Sequence, residues 1–144
     1  MTDLKPLFQD LIRLEIELWD AVDARLRADV DVQLRNYLPM QVIAATTSCR
    51  VYDLVEQLGI TVGTASKAVD RLENAGFCQR RNNPQDRRSP ILELTPAGQR
   101  VLARATASVD SELELRLASV LSSRSLHQLT AWVAKLRVPR EGEA

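Results

Sequence analysis

The sequence predicts a mainly α-helical single domain that carries one short β-hairpin. Three observations support this. Leucines recur at three- and four-residue spacing from Leu4 to Leu18, two amphipathic segments each stop at a glycine (Gly59 and Gly76), and the alternating run Ile91-Leu92-Glu93-Leu94 follows the turn-forming Asn82-Asn83-Pro84-Gln85. A length of 144 residues suits one domain, and 45% hydrophobic with 26% charged residues excludes a disordered chain. Aromatic residues are only 4%, so the core must be built from Leu, Val and Ala.

The first helix carries Leu4, Leu7, Leu11, Leu14 and Leu18, widened by Phe8, Ile12, Trp19, Val22 and Leu26. A seam this long at a chain end exceeds what one small core needs. Residues Val32 to Leu38 read as a break, with Pro39 in the first turn of a second helix that runs to about Thr47. Asp53 to Leu58 forms a short helix closed by Gly59, Ile60-Thr61 forms a turn, and Thr61 caps a further helix from Val62 to about Ala75. Two helices joined by so short a glycine-containing turn make a helix-turn-helix. Phe77 to Arg81 and Ile91 to Leu94 are the strands of a hairpin whose tip carries Arg87 and Arg88. Thr95 caps the next helix, with Pro96 at its first position. That helix is expected to continue through Leu117 and Leu121 to a break at Ser122-Ser123, followed by a closing helix through Leu126, Leu129, Val133 and Leu136. Helix, turn, helix, hairpin, helix is the order of a winged helix-turn-helix, here flanked by N- and C-terminal helices fit for dimerisation.

Zero net charge conceals an asymmetry. Between residues 67 and 104 the bases Lys67, Arg71, Arg80, Arg81, Arg87, Arg88, Arg100 and Arg104 face only Asp70, Glu73, Asp86 and Glu93, whereas acids predominate before residue 32. A basic segment on a neutral chain points to one polyanion-binding face. Asp3, Lys5 and Asp10 interrupt every early apolar run, and no stretch has the length of a membrane span. Cys49 and Cys78 have neither disulfide nor zinc spacing, which suits a reducing, cytoplasmic setting.

The stretch DLVEQLGITVGTASKAVDRLENAGF and the wing NPQDRRSPILELTPAG resemble the MarR family of winged-helix transcription regulators. The family's wing signature, Asp-x-Arg followed after five residues by Leu-Thr, falls on Asp86, Arg88, Leu94 and Thr95, and VLSSRSLHQLTAWVAKL resembles its closing helix. The resemblance implies a ligand- or stress-responsive homodimeric repressor on a pseudo-palindromic operator in double-stranded DNA. Residues 1–31 and 96–137 would form the dimerisation region, 38–95 the DNA-binding region and 138–144 a loose tail. The alternative is a winged helix used for protein-protein docking without duplex DNA.

On the recognition helix, Thr64 and Lys67 are expected on base edges or phosphates, Thr61 and Ser66 on phosphates, and Arg71 on the DNA backbone. Gly63 stands where the family often has a polar side chain, which removes a base contact and lets the main chain approach DNA closely. Val55 replaces a customary alanine and implies slightly wider helix packing. Arg88 is expected in the minor groove, where a narrow groove concentrates negative potential, with Arg87 beside it on groove or phosphate. Asp86 would organise the wing by holding an arginine. The dimer interface would use Leu4, Leu7, Phe8 and Leu11 with Leu126, Leu129, Val133 and Leu136. The family's small aromatic or phenolic effectors bind where dimer helices meet the winged part, and Trp19, Gln41 and Cys49 are candidates for that crevice.

Peroxide-sensing relatives carry a reactive cysteine in their first helices; this chain has none before Cys49, and Cys78 is expected to be buried at the hairpin base. His127 stands alone, so neither a metal site nor a cofactor is expected. No phosphate-binding glycine loop or nucleophile elbow suggests an enzyme.

Overall fold

A computed structural model describes residues 1–137, and the 138–144 tail lies outside the described residues. The elements run α1 (Lys5–Val30), α2 (Leu34–Ala45), α3 (Val51–Leu58), α4 (Val62–Asn74), β1 (Cys78–Arg81), β2 (Ile91–Leu94), α5 (Pro96–Leu113), a π-helical turn (Glu114–Ala118) and α6 (Ser123–Arg137). The strands pair antiparallel, Cys78 opposite Leu94 and Arg81 opposite Ile91. The loop after α2 joins the outer edge of the hairpin, where Leu92 N donates to Cys49 O at 2.7 Å.

Two hydrophobic cores form. One fills the winged part with Met40, Ile43, Leu54, Ala65, Val69, Leu72, Leu92 and Leu94; the other joins α1, α2 and α5 through Val22, Leu26, Leu34, Tyr37, Ala105 and Val109. Val101 and Leu102 of α5 pack against both. The first four turns of α1 bury nothing, and α6 has no buried residue.

The helix-turn-helix follows its sequence signals. Gly59 takes a left-handed conformation (φ 64°) at the end of α3, a conformation cheap for glycine. Thr61 Oγ1 accepts from Thr64 N at 3.1 Å and so caps α4. Thr95 caps α5 in the same way, accepting from Gly98 N at 3.1 Å.

Three element boundaries differ from the sequence expectation. The second helix begins at Leu34, five residues before Pro39, which lies inside it. Its cap comes from another element: Leu34 N donates to Asp23 Oδ1 of α1 at 2.8 Å. That bond also holds the Asp23 carboxyl below its ordinary range. Leu34, Tyr37, Met40 and Ile43 are all buried at helical spacing, and their packing carries the helix through the one main-chain bond proline cannot make. The third helix starts at Val51, because Asp53 Oδ2 accepts from Arg50 N at 2.8 Å and draws in the preceding turn. The long helix from Pro96 does not reach Leu121. Ser119 N and Ser119 Oγ both donate to Glu114 O, at 2.9 and 3.2 Å, closing a turn one residue wider than an α-turn.

Gly98 packs its backbone directly on Phe77, where an added Cβ would collide with the Phe77 carbonyl oxygen. The neighbours are main chain and cannot move aside as a side chain would. Gly98→Ala should therefore cost about 1–3 kcal/mol of stability or more, read from urea unfolding at fixed protein concentration. An unchanged midpoint would contradict the close approach.

Candidate nucleic-acid interface

The solvent side of α4 presents Thr61, Val62, Gly63, Thr64, Lys67, Asp70 and Asn74, with Ser66 half-buried at its edge. The Thr61 hydroxyl donates to Thr64 Oγ1 at 2.9 Å while accepting from Thr64 N, so its proton is committed within the cap. Thr64 accepts that bond and keeps its own proton for an external acceptor. Lys67 pairs with no carboxylate among the described residues. Arg71 is half-buried, because its flank of α4 meets α2, and Nε donates to Asn36 Oδ1 at 3.1 Å. Burial, with Arg35 nearby, lowers its pKa from the usual guanidinium value.

The wing tip is fixed by two side chains. Asn83 is nearly buried: its Nδ2 donates to Ser89 O and its Oδ1 accepts from Gln85 N, both at 3.1 Å. Among the described residues Asp86 holds no arginine side chain. Its Oδ1 accepts from the main-chain N of Arg88 at 3.0 Å, because the tight turn brings that N–H nearest. Arg87 and Arg88 are exposed and form no ion pair among the described residues.

Two other arginines are occupied internally. Arg80 on β1 reaches back to α4, donating to Glu73 Oε2 at 2.8 Å and Asp70 Oδ1 at 2.9 Å, while its main-chain N donates to Glu73 Oε1 at 3.0 Å. Arg81 pairs across the hairpin with Glu93 at 2.8 Å. The sequence reading missed Arg80 and Asn83 as organisers. Arg80 lies seven residues beyond Glu73, a spacing that becomes contact only once α4 turns into β1. The only signal for Asn83 was its place before Pro84.

On the terminal helices Leu4, Leu7, Phe8, Leu11, Val133 and Leu136 are exposed, and Leu126 and Leu129 half-buried. Phe8 keeps 63% and Leu136 79% of its surface open. The three crevice candidates lie apart from one another in character: Trp19 and Gln41 are exposed, whereas Cys49 is wholly buried in the winged core. The described structure also has a cleft of about 530 Å³ between the end of α2, β2 and the start of α5, bordered by Ile43, Thr46, Ser48, Leu92, Gln99 and the paired Arg81 and Glu93. None of the three borders it.

Cys78 is buried at the hairpin base, as the sequence suggested. Burial, reinforced by Asp53 and the neighbouring Cys78, pushes the Cys49 thiol up to about 11. Burial, then Glu73, pushes the Cys78 thiol upward as well. Among the described residues no cluster of His, Cys, Asp or Glu is arranged for a metal, and no helix is long and apolar enough to cross a membrane.

A family model described as the MarR family matches residues 37–89, from α2 through the wing. Transcriptional regulator HosA of Escherichia coli O111:H- is 32% identical over 90 residues, spanning 60% of this chain and 67% of HosA. Sco3205, a MarR family transcriptional regulator of Streptomyces coelicolor solved in complex with DNA, superposes with a TM-score of 0.84 at 26% identity, covering 100% of this chain and 94% of Sco3205. The transcriptional repressor CouR, solved on a 23-mer DNA duplex, superposes with a TM-score of 0.80 at 26% identity, covering 94% of this chain and 98% of CouR.

Two outcomes follow from the site's geometry. A thiol raised to about 11 is almost wholly protonated at neutral pH, and Cys78 shifts in the same direction. Both cysteines should stay unreactive to a disulfide reagent at pH 7 and react together only on unfolding; a fast-reacting thiol in the folded protein would refute this burial. Asn83→Ala should expose the Gln85 amide, raising its hydrogen exchange by about ten-fold or more (about 1–3 kcal/mol for removing a buried hydrogen bond) with little change in α4.

Proposed function

The chain belongs to the MarR family of transcriptional regulators, and we propose that it acts as a homodimeric repressor that releases its operator in response to a small molecule or stress signal. As a family member it is a DNA-binding regulator of transcription. The finer reading rests on one observation: among the described residues Lys67 of α4 and Arg87 and Arg88 of the wing tip are exposed without an ion pair and Thr64 keeps its hydroxyl proton, whereas the wing-strand arginines Arg80 and Arg81 are internally paired. In this reading α4 lies in the major groove, with Thr64 and Lys67 on base edges or phosphates and Thr61, Ser66 and Arg71 flanking them. Gly63 lets the main chain come close. Arg88 enters the minor groove and Arg87 lies on groove or phosphate.

The exposed leucines of α1 and the open face of α6 support a two-fold dimer, which a pseudo-palindromic operator requires. The cleft beside α2 supports a small-molecule effector: Ile43 and Leu92 lie at its base, Thr46, Ser48 and Gln99 offer hydrogen bonds to a phenolic hydroxyl, and Arg81 at its rim is already paired with Glu93.

The test is a titration of the protein against duplex from upstream of its own gene and against a scrambled duplex, at two salt concentrations. Selective, salt-sensitive binding is expected. Arg87→Ala/Arg88→Ala should weaken it about ten-fold or more and lower the salt slope by ~1 for each phosphate no longer neutralised. Selective binding untouched by the double substitution would remove the wing from the reading. No binding to either duplex at low salt would favour protein-protein docking. Separately, Leu7→Glu/Leu11→Glu changes only exposed positions and should give a folded monomer by light scattering; a dimer that persists would place the interface elsewhere.

A further inference from the structure

Among the described residues, the large apolar side chains left exposed lie on or beside α1, the π turn and α6, with two exceptions. One is Tyr52 of α3, whose hydroxyl donates to Glu56 Oε1 at 3.0 Å. The other is Val62, 63% exposed at the first position of α4. A lone exposed valine is ordinary on a protein surface. This one occupies the end of the recognition helix that enters the groove.

Nothing inside the subunit accounts for it. The apolar clasp at the start of α4 is made by its neighbours, with Ala65 buried in the winged core and Ile60 packed against that core. The cap is made by Thr61 and Thr64. A β-branched residue is also a poorer helix former than alanine.

The first turn offers DNA very little else. Gly63 contributes no side chain, and open space surrounds the place where its Cβ would be. Thr64 contributes one hydroxyl and one methyl. Val62 contributes two methyl groups and no polar atom. In the major groove, the one apolar feature that distinguishes a base pair is the 5-methyl group of thymine.

We propose that Val62 reads thymine, its isopropyl group packing on the 5-methyl of one thymine in the operator's major groove. This rests on the DNA-binding reading above and adds a specificity determinant to it. A guanidinium or amide at this position would select purines through hydrogen bonds; valine selects by contact area alone. The preference it confers is therefore modest and confined to one base position.

Replacing thymine by deoxyuridine removes that methyl group and nothing else. The full-length protein would first select a duplex from a random-sequence pool, and each thymine of that duplex would then be replaced singly by deoxyuridine. Wild-type affinity should fall about three- to five-fold at one position, the worth of roughly one buried methyl group. Val62→Ala protein, checked for an unchanged melting temperature, should bind thymine and uracil equally there. Thr64→Ser should keep the wild-type preference. Failure to select any duplex would defeat the DNA-binding reading itself, and this inference with it. Selective binding in which no thymine methyl matters would overturn the Val62 assignment alone. So would a methyl effect that survives in Val62→Ala or disappears in Thr64→Ser.

Discussion

The close approach of Phe77 and Gly98 holds the winged part together. Thr95 N donates to Phe77 O at 3.0 Å, Thr95 Oγ1 donates to Gly76 O at 2.6 Å, and the same hydroxyl accepts from Gly98 N. One threonine thus ties the end of the recognition helix to the start of α5 while capping α5. The chain leaves α4 through Gly76, at φ 79°, and re-enters helix only a few ångströms away. Everything between, from Cys78 to Leu94, is a hairpin rooted at that knot. Its tip can project into solvent because its base is fixed by the Thr95 N–Phe77 O bond and by the two bonds of the Thr95 hydroxyl.

The same economy governs charge. The basic segment is less available than its composition suggests, since three of its eight bases, Arg71, Arg80 and Arg81, bond to Asn36, to Asp70 and Glu73, and to Glu93. Arg80 fixes the angle between wing and recognition helix and masks two carboxylates on the helix that would repel phosphate. What remains outward without an ion pair, among the described residues of that segment, is Lys67 on α4, Arg87 and Arg88 at the wing tip, and Arg100 and Arg104 on α5. A protein of zero net charge can then bind a polyanion through local potential alone, without a long-range bias toward every nucleic acid.

Local signals carried most of the element order. Gly59, Thr61, Thr95 and Pro96 act within their own turns, so their chemistry is visible in sequence, and the positions of α4 and the hairpin could be read from them. The start of α2 was not legible because its cap, Asp23, belongs to another helix, and because buried Leu34, Tyr37, Met40 and Ile43 override Pro39. The π turn at residues 114–118 was invisible for a related reason: leucines at helical spacing look the same whether or not one extra residue widens a turn. In the site, the residue types on the surface were legible, but not which arginines would find partners. Partner choice depends on the angle at which β1 leaves α4, and no local pattern encodes that angle.

The second core shows why the terminal helices bear on the first. Near the middle of the molecule Arg25 of α1 donates to Asp29 at 2.8 Å and to Glu112 of α5 at 3.3 Å, and Arg116 donates to the same Glu112 at 3.2 Å. Ser108 adds a bond to Asp29 at 2.8 Å. Glu112 is nearly buried, so this cluster is a poor bargain for stability compared with apolar residues of the same volume. Its geometric effect is larger. Apolar helix faces can slide by a turn, whereas a carboxylate held between two guanidinium groups permits one register. That register fixes α1 to α5, Val101 and Leu102 fix α5 to both cores, and the Thr95 knot fixes α5 to α4. A continuous chain of contacts therefore runs from α1 through α5 to the end of the recognition helix. Two recognition helices related by a two-fold axis must meet half-sites about one helical turn of DNA apart. In the proposed dimer, this chain of contacts is what would let the α1 seam set that distance.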